Sequence, residues 1–281
     1  MSWTDRQRRM LRAMGLVVWE GAAHGTGGEP QPLRPGAAGG MAVAPDRPPV
    51  PAPQRTRAAP SPPVEVPVPP AAMPAPAVDP GRAHRIASLG WPGLRDEVAA
   101  CRSCGLCESR RQAVFGVGHE RARWLVVGEA PGEQEDLQGE PFVSAAGQLL
   151  DAMLHALHLS RRTEGPEPPE RRVYIANTLK CRPPRNRNPQ PAEMLACEPF
   201  LLRQIELLQP RLILAMGRFA VQALLRSHEP VGRLRGRVHT YHGVPLIVTY
   251  HPAYLLRNLI DKSRAWDDLC LAAEVFERTE A

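Results

Sequence analysis

The sequence predicts an α/β fold: a parallel sheet covered by helices on both faces. Short apolar runs of buried-strand character recur at 124–127, 173–177, 211–216 and 246–249. Between them lie stretches with apolar residues at helical spacing, such as Leu149, Leu150, Met153, Leu154 and Leu157. Strands that alternate with helices need crossover connections, and these place helices against both faces of the sheet. No internal repeat is visible.

The chain begins with a segment, 1–22, in which Thr4 or Asp5 can cap a short helix through Met14. Gly15 ends that helix, and Leu16, Val17, Val18 and Trp19 form an apolar knot. The knot suits either a tethered docking segment or a terminal helix resting on the main domain. Residues 23–82 read as a linker. Of the 32 prolines, 17 fall between Glu29 and Gly81, and such composition buries too little apolar surface to offset chain entropy. Residues 83–281 are left as one domain, long enough for a sizeable core.

Within that domain Ile86, Leu89, Leu94 and Val98 predict helix from His84, broken at Pro92, running into Cys101. A strand over Arg123–Val127 releases the loop Gly128–Gly147, and a helix follows from near Gly147. Next come a strand Val173–Asn177, a Pro/Arg-rich loop Cys181–Pro191 and a helix Glu193–Leu208. The strand Arg211–Met216 leads into a helix from Gly217 to Leu225. The strand ending at Thr249 delivers the segment His251–Arg257, and Arg264–Arg278 closes the chain as a helix.

The formal net charge is +6, and 33 of the 35 basic residues are arginine. That balance suits a polyanionic partner, although a GC-rich genome produces the same composition. No 18-residue apolar run exists to span a membrane, and no apolar signal core follows the N-terminus. The expected location is therefore the cytoplasm. In such a compartment six cysteines point to metal or catalysis before disulfides.

Cys101 and Cys104 form one pair before the first strand, and Cys181 and Cys197 flank the Pro-rich loop. Four thiolates suit a structural zinc or an iron–sulfur cluster, and spacing alone does not decide between them. The second pair is wide for a zinc ribbon, which favours a cluster. Cys107 continues the three-residue spacing, but no Cys-Pro follows to complete a ferredoxin run. Cys270 sits mid-helix between Leu269 and Leu271 and reads as core.

The loop 128–147, GEAPGEQEDLQGEPFVSAAG, holds five carboxylates: Glu129, Glu133, Glu135, Asp136 and Glu140. It leaves a strand end, which is where open α/β sheets place chemistry.

This loop, the run from Tyr174 through Asn177, Lys180, Cys181 and Pro184 to Arg187, and the run His251–Arg257 together resemble the family 4 uracil-DNA glycosylases. The resemblance extends from about Cys101 to Arg257, with the motifs in the same order. It implies a three-layer α/β/α fold with a four-stranded parallel sheet. It implies a (4Fe-4S) cluster held by Cys101, Cys104, Cys181 and Cys197, structural in role. It also implies monofunctional hydrolysis of the N-glycosidic bond of uracil in DNA, single- or double-stranded, for base-excision repair. A monomer is expected, bacterial and nucleoid-associated when on DNA, with a repair or replication protein as possible partner of the N-terminal segment.

Uracil excision needs a positioned water, an electrostatic partner for the cationic sugar and a donor at O2 of the leaving base. The base must also leave the duplex. Glu129 is the first candidate for the water or the cation, with Glu135 second and Asn186 third. Other branches of the superfamily use an Asp one position later, where this chain has Ala130. His251 is expected to donate to O2. Phe142 is the stacking platform, and the Asn177 amide pairs with N3–H and O4, which rejects cytosine. Backbone amides near Ala130 and Gly132 are candidates for base or phosphate contacts. Leu255 is expected to fill the hole left by the flipped nucleotide, with Arg257, Arg185 and Arg187 on phosphates. Ser144 stands where the family usually has Gly, so tuned activity is expected. Cys181-Arg-Pro-Pro184 argues against the branch that cross-links covalently to uracil. The rival readings are a catalytically weak DNA- or partner-binding protein on the same fold and an electron-transfer iron–sulfur protein.

Overall fold

Four strands are buried along almost their whole length, and they form the centre of a six-stranded sheet. A computed structural model describes residues 80–280. The expected N-terminal helix over 1–22 and all but the end of the expected linker lie outside those residues.

The first helix, α1 (Pro80–Ser88), begins two residues before the expected end of the linker. It is followed by α2 (Trp91–Ala100) and α3 (Leu106–Ser109). The strands are β1 (Val117–Gly118), β2 (Trp124–Gly128), β3 (Val173–Asn177), β4 (Leu212–Met216), β5 (Val238–Tyr241) and β6 (Val244–Thr249). Between β2 and β3 lie α4 (Glu133–Gln138) and α5 (Ala145–Ala156). Then come α6 (Pro191–Leu208), α7 (Arg218–Leu225), α8 (Val231–Leu234), α9 (Pro252–Leu255) and α10 (Asp261–Glu280).

The sheet order is β1-β3-β2-β4-β6-β5. The central four strands are parallel, as expected. The two edge strands, β1 and β5, run antiparallel and were not anticipated. Side chains alternate across the sheet with period two. Trp124, Val126, Val173, Ile175, Leu212, Leu214 and Ile247 face one core with α5 and α10. Leu125, Val127, Tyr174, Ala176, Ile213, Ala215, Leu246 and Val248 face the other, with α1, α2, α6 and α7. The architecture is thus three-layer α/β/α. Among the described residues no helix is long and apolar enough to cross a membrane.

The topology positions the site. From β2 the chain first moves to β3 on one side, then crosses to β4 on the other. Such a reversal, here between β2 and β4, is where open α/β sheets place a binding site, at the C-terminal strand ends. The residues that follow those ends are Glu129, Thr178, Gly217 and Tyr250-His251.

Candidate active site

Two side chains, Asn177 from the end of β3 and Phe142 from the loop after β2, meet over one glycine. Gly128 pairs in register with Asn177 across β2 and β3. A Cβ on Gly128 would collide with Asn177 Oδ1 and lie 2.7 Å from Phe142 Cζ. The missing side chain is therefore what lets the amide and the ring approach each other. Phe142 stacks on His251, with centroids 5.4 Å apart and planes 28° from parallel. Gly217, at φ +85°, lies against His251; a Cβ there would come 3.1 Å from His251 Cβ.

Asn177 is 3% exposed, and its Oδ1 is buried without a hydrogen-bond partner. A buried acceptor left open costs on the order of 1–3 kcal/mol. Such a group fits a site that a ligand N–H completes.

His251 Nδ1 accepts the Ala253 amide at 3.2 Å. That bond requires the neutral ring with its proton on Nε2, so Nε2–H is the donor the site offers. Burial pushes the imidazole down to about 4, helped by Arg257 and opposed by Glu135. The ring is uncharged at neutral pH.

Glu129 is half-buried at the end of β2. Its backbone carbonyl accepts Thr178 Oγ1 at 2.5 Å and the Leu179 amide at 3.1 Å, which fixes its Cα. Among the described residues its carboxylate has no hydrogen bond or ion pair, and burial raises its pKa against the pull of Arg218.

Glu135 is a different case, because its carboxylate holds the loop. Its Oε2 accepts the Gly132 amide at 3.1 Å. Its Oε1 accepts the Val143 and Ser144 amides at 3.1 and 3.2 Å. Both oxygens thus accept loop amides, two on Oε1 and one on Oε2. The same bond takes the Gly132 amide away from any base or phosphate, while Ala130 packs half-buried against the core. Asp136 likewise accepts the Arg111 amide. Arg161 donates to the carbonyls of Pro141 and Phe142 at 2.9 and 3.0 Å and pairs with Asp151. Phe142 is therefore pinned at φ +56° and is only 5% exposed.

The rim holds further differences. Asn186 is exposed, and its Oδ1 accepts Arg182 Nε at 2.8 Å, so it is a loop brace and not a buried catalytic group. Arg187 makes a two-pronged ion pair with Glu193 at 2.5 and 3.0 Å, which removes it as a free phosphate contact. Burial pushes the Glu193 pKa up, but Arg187 and the Gln190 amide outweigh that and hold it below the usual range. Arg185 and Arg257 are exposed. Leu255 is fully buried in the core, so it does not stand ready as a wedge. Leu256 beside it is 42% exposed, with Leu259 and Ile260 also outside.

Sequence reasoning missed Gly217 and Arg218, which follow β4 at the same edge as Glu129. Their place after a buried apolar run was the available signal. Two open cavities, of about 210 and 260 Å³, lie elsewhere, beside Trp124 and Phe276 and between α6 and α7.

The cysteines come from three segments. Arg110 donates to Cys181 Sγ at 2.9 Å, Arg82 to Cys101 Sγ at 3.6 Å and the Lys180 amide to Cys197 Sγ at 3.2 Å. Burial pushes Cys197 up to about 12, and raises Cys104 and Cys181 as well, with neighbouring thiols adding to it. No group of three or more His, Cys, Asp or Glu among the described residues is closed tightly enough to hold a single metal ion. The donor chemistry still fits a larger thiolate-held group: four thiols with cations and an amide directed at sulfur. Cys107 also acts on Cys181 and Arg110.

Together these features define an α/β protein in which Glu129, Asn177 and His251 stand at the C-terminal ends of the central strands. Residues 115–270, more than half of the chain, match the family model of the uracil DNA glycosylase superfamily. The chain belongs to that superfamily. It is 41% identical over 174 residues to the type-4 uracil-DNA glycosylase of Saccharolobus solfataricus, covering 59% of this chain and 76% of that one. It is 42% identical over 168 residues to the type-4 enzyme of Archaeoglobus fulgidus, covering 57% and 80%. A type-5 uracil-DNA glycosylase of Thermus thermophilus is 36% identical over 118 residues, covering 40% and 53%.

Proposed function

We propose that the protein is a monofunctional uracil-DNA glycosylase that takes uracil out of DNA and leaves an abasic site for repair. The open, buried Asn177 Oδ1 beside the Phe142 ring carries this reading. In it, Phe142 stacks on the flipped base and Asn177 Oδ1 accepts the uracil N3–H. Cytosine has no proton on N3, so it leaves the acceptor unpaired and is rejected.

The bond from C1′ to N1 breaks, and its electron pair stays with the base. Negative charge grows on O2, where the neutral His251 donates Nε2–H. Water forms the new bond to C1′, and its proton passes to the Glu129 carboxylate. A burial-raised pKa makes Glu129 a better base than an ordinary carboxylate. Arg257 and Arg185 contact phosphates, and Leu256 replaces Leu255 as the side chain that enters the stack.

Cys101, Cys104, Cys181 and Cys197 would hold a (4Fe-4S) cluster. When bound it supplies no bond chemistry to the reaction but ties α2, the Cys181 loop and α6 together.

The test is incubation with uracil-containing single- and double-stranded oligonucleotides, followed by alkaline cleavage. Strand breaks only at uracil positions are expected. Intact strands after prolonged incubation with iron-replete protein would overturn the reading.

A further inference from the structure

Only two of the chain's basic residues are lysines, and one of them, Lys180, is 1% exposed. Its position is unusual in what it joins. Its ammonium donates to the Asn177 carbonyl at 3.0 Å and to Gln204 Oε1 at 2.6 Å. Its backbone amide donates to Cys197 Sγ at 3.2 Å. Gln204 in turn donates to the Phe115 carbonyl at 2.9 Å and to the Tyr174 hydroxyl at 3.3 Å. The short connection from Asn177 to Cys181 is also clamped on its other side. There the Thr178 and Leu179 amides each donate at 3.1 Å, to the carbonyls of Gly128 and Glu129.

One residue thus touches both a proposed cluster ligand and the backbone of the proposed base-reading amide. An arginine could not serve in the same way: its planar fork does not reduce to the point charge that two converging acceptors need. We propose that Lys180 is a positioning residue that couples the cysteine centre to uracil recognition by fixing the Asn177 backbone against α6. This rests on the function proposed above. Loss of the ammonium frees the Asn177 carbonyl and lets the Oδ1 acceptor drift, and small misplacements of a binding group cost rate steeply.

The experiment compares the parent, Lys180→Met and the double variant Lys180→Met/Gln204→Leu. The double variant leaves no unpaired Gln204 oxygen but gives up the Gln204 bonds to the Phe115 carbonyl and the Tyr174 hydroxyl, so thermal melts accompany both variants. Three readouts are taken: iron content, the Asn177 side-chain amide signals in ¹⁵N–¹H spectra and single-turnover release of uracil. The proposal expects full iron content and displaced or broadened Asn177 signals in both variants. It expects the uracil-release rate to fall about 10- to 100-fold in both, with little change in DNA affinity. The parent rate and the parent Asn177 signals in either folded variant would overturn it, because Lys180 would then be structural only. Iron-depleted variants would also overturn it, since Lys180 would then serve the centre alone. If the parent releases no uracil, the functional reading fails, and the Asn177 signals still decide the link.

Discussion

Two stretches of one loop carry the same chemistry and have opposite fates. Glu129, at the strand end, holds a half-buried carboxylate with no hydrogen bond among the described residues. Glu135, six residues on, has its carboxylate bonded by three backbone amides. The difference separates chemistry from scaffold, because a satisfied buried group rigidifies while an open one waits for a ligand. The same contrast recurs elsewhere. Asn177 Oδ1 is open where Asn186 Oδ1 is filled. Arg187 is paired where Arg257 is exposed. Leu255 is packed where Leu256 is outside.

The largest effects lie on the open side. Glu129→Gln should lower single-turnover uracil release by roughly 100- to 10,000-fold. Its melting temperature should hold or rise. The raised pKa means that burial favours the protonated acid, a contribution lost as pH rises through the folded value, so a neutral amide removes a cost at pH 7. The parent's rate should fall on the acid side as Glu129 protonates, at a pH above its ordinary 4.5.

His251→Ala should cost about 100- to 1,000-fold in rate, the usual loss for one donor at a developing charge. Burial holds the folded His251 at about 4, below its ordinary 6.5. Its share of stability is present above pH 6.5 and lost as pH falls towards 4. Thermal melts of the parent and His251→Gln across that range should converge on the acid side.

Leu255→Ala should destabilise the fold by about 2–5 kcal/mol in denaturant titration, as core truncations do. Leu256→Ala should leave stability within about 0.5 kcal/mol yet slow excision from duplex more than from single strands. The reverse pattern would return the wedge to Leu255. The smallest effects concern the arginines. Arg257→Ala should reduce the slope of log affinity against log salt by about one. Arg187→Ala should leave that slope and lower stability instead, by stranding the buried Glu193.

Much of this was legible in the chain. β2, β3 and β4 read clearly because they are buried on both faces and so appear as unbroken apolar runs. β5 did not, since two of its four residues are exposed and Val238 is 48% so. Its hairpin to β6 turns on His242 and Gly243, both at positive φ, a signal carried by a single glycine. The places of Glu129, Asn177 and His251 at the ends of β2, β3 and β6 were legible because each closes or follows an apolar run. Glu129 and Glu135 could not be told apart, since the amides that fill Glu135 come from Val143 and Ser144, beyond the helix that carries it. Leu255 and Leu256 differ only in how a one-turn helix is rotated, which spacing does not encode. Arg187 was misread because its partner, Glu193, caps the following helix and faces back towards it.

The most direct test of the contrast is single-turnover uracil release by the parent, Glu129→Gln and Glu135→Gln, with thermal melts of all three. The account predicts that Glu129→Gln loses the rate and keeps its stability. It predicts that Glu135→Gln loses stability, by about 1–3 kcal/mol, and retains the greater share of the rate. Parent-like release by Glu129→Gln beside an inactive but fully stable Glu135→Gln would contradict it.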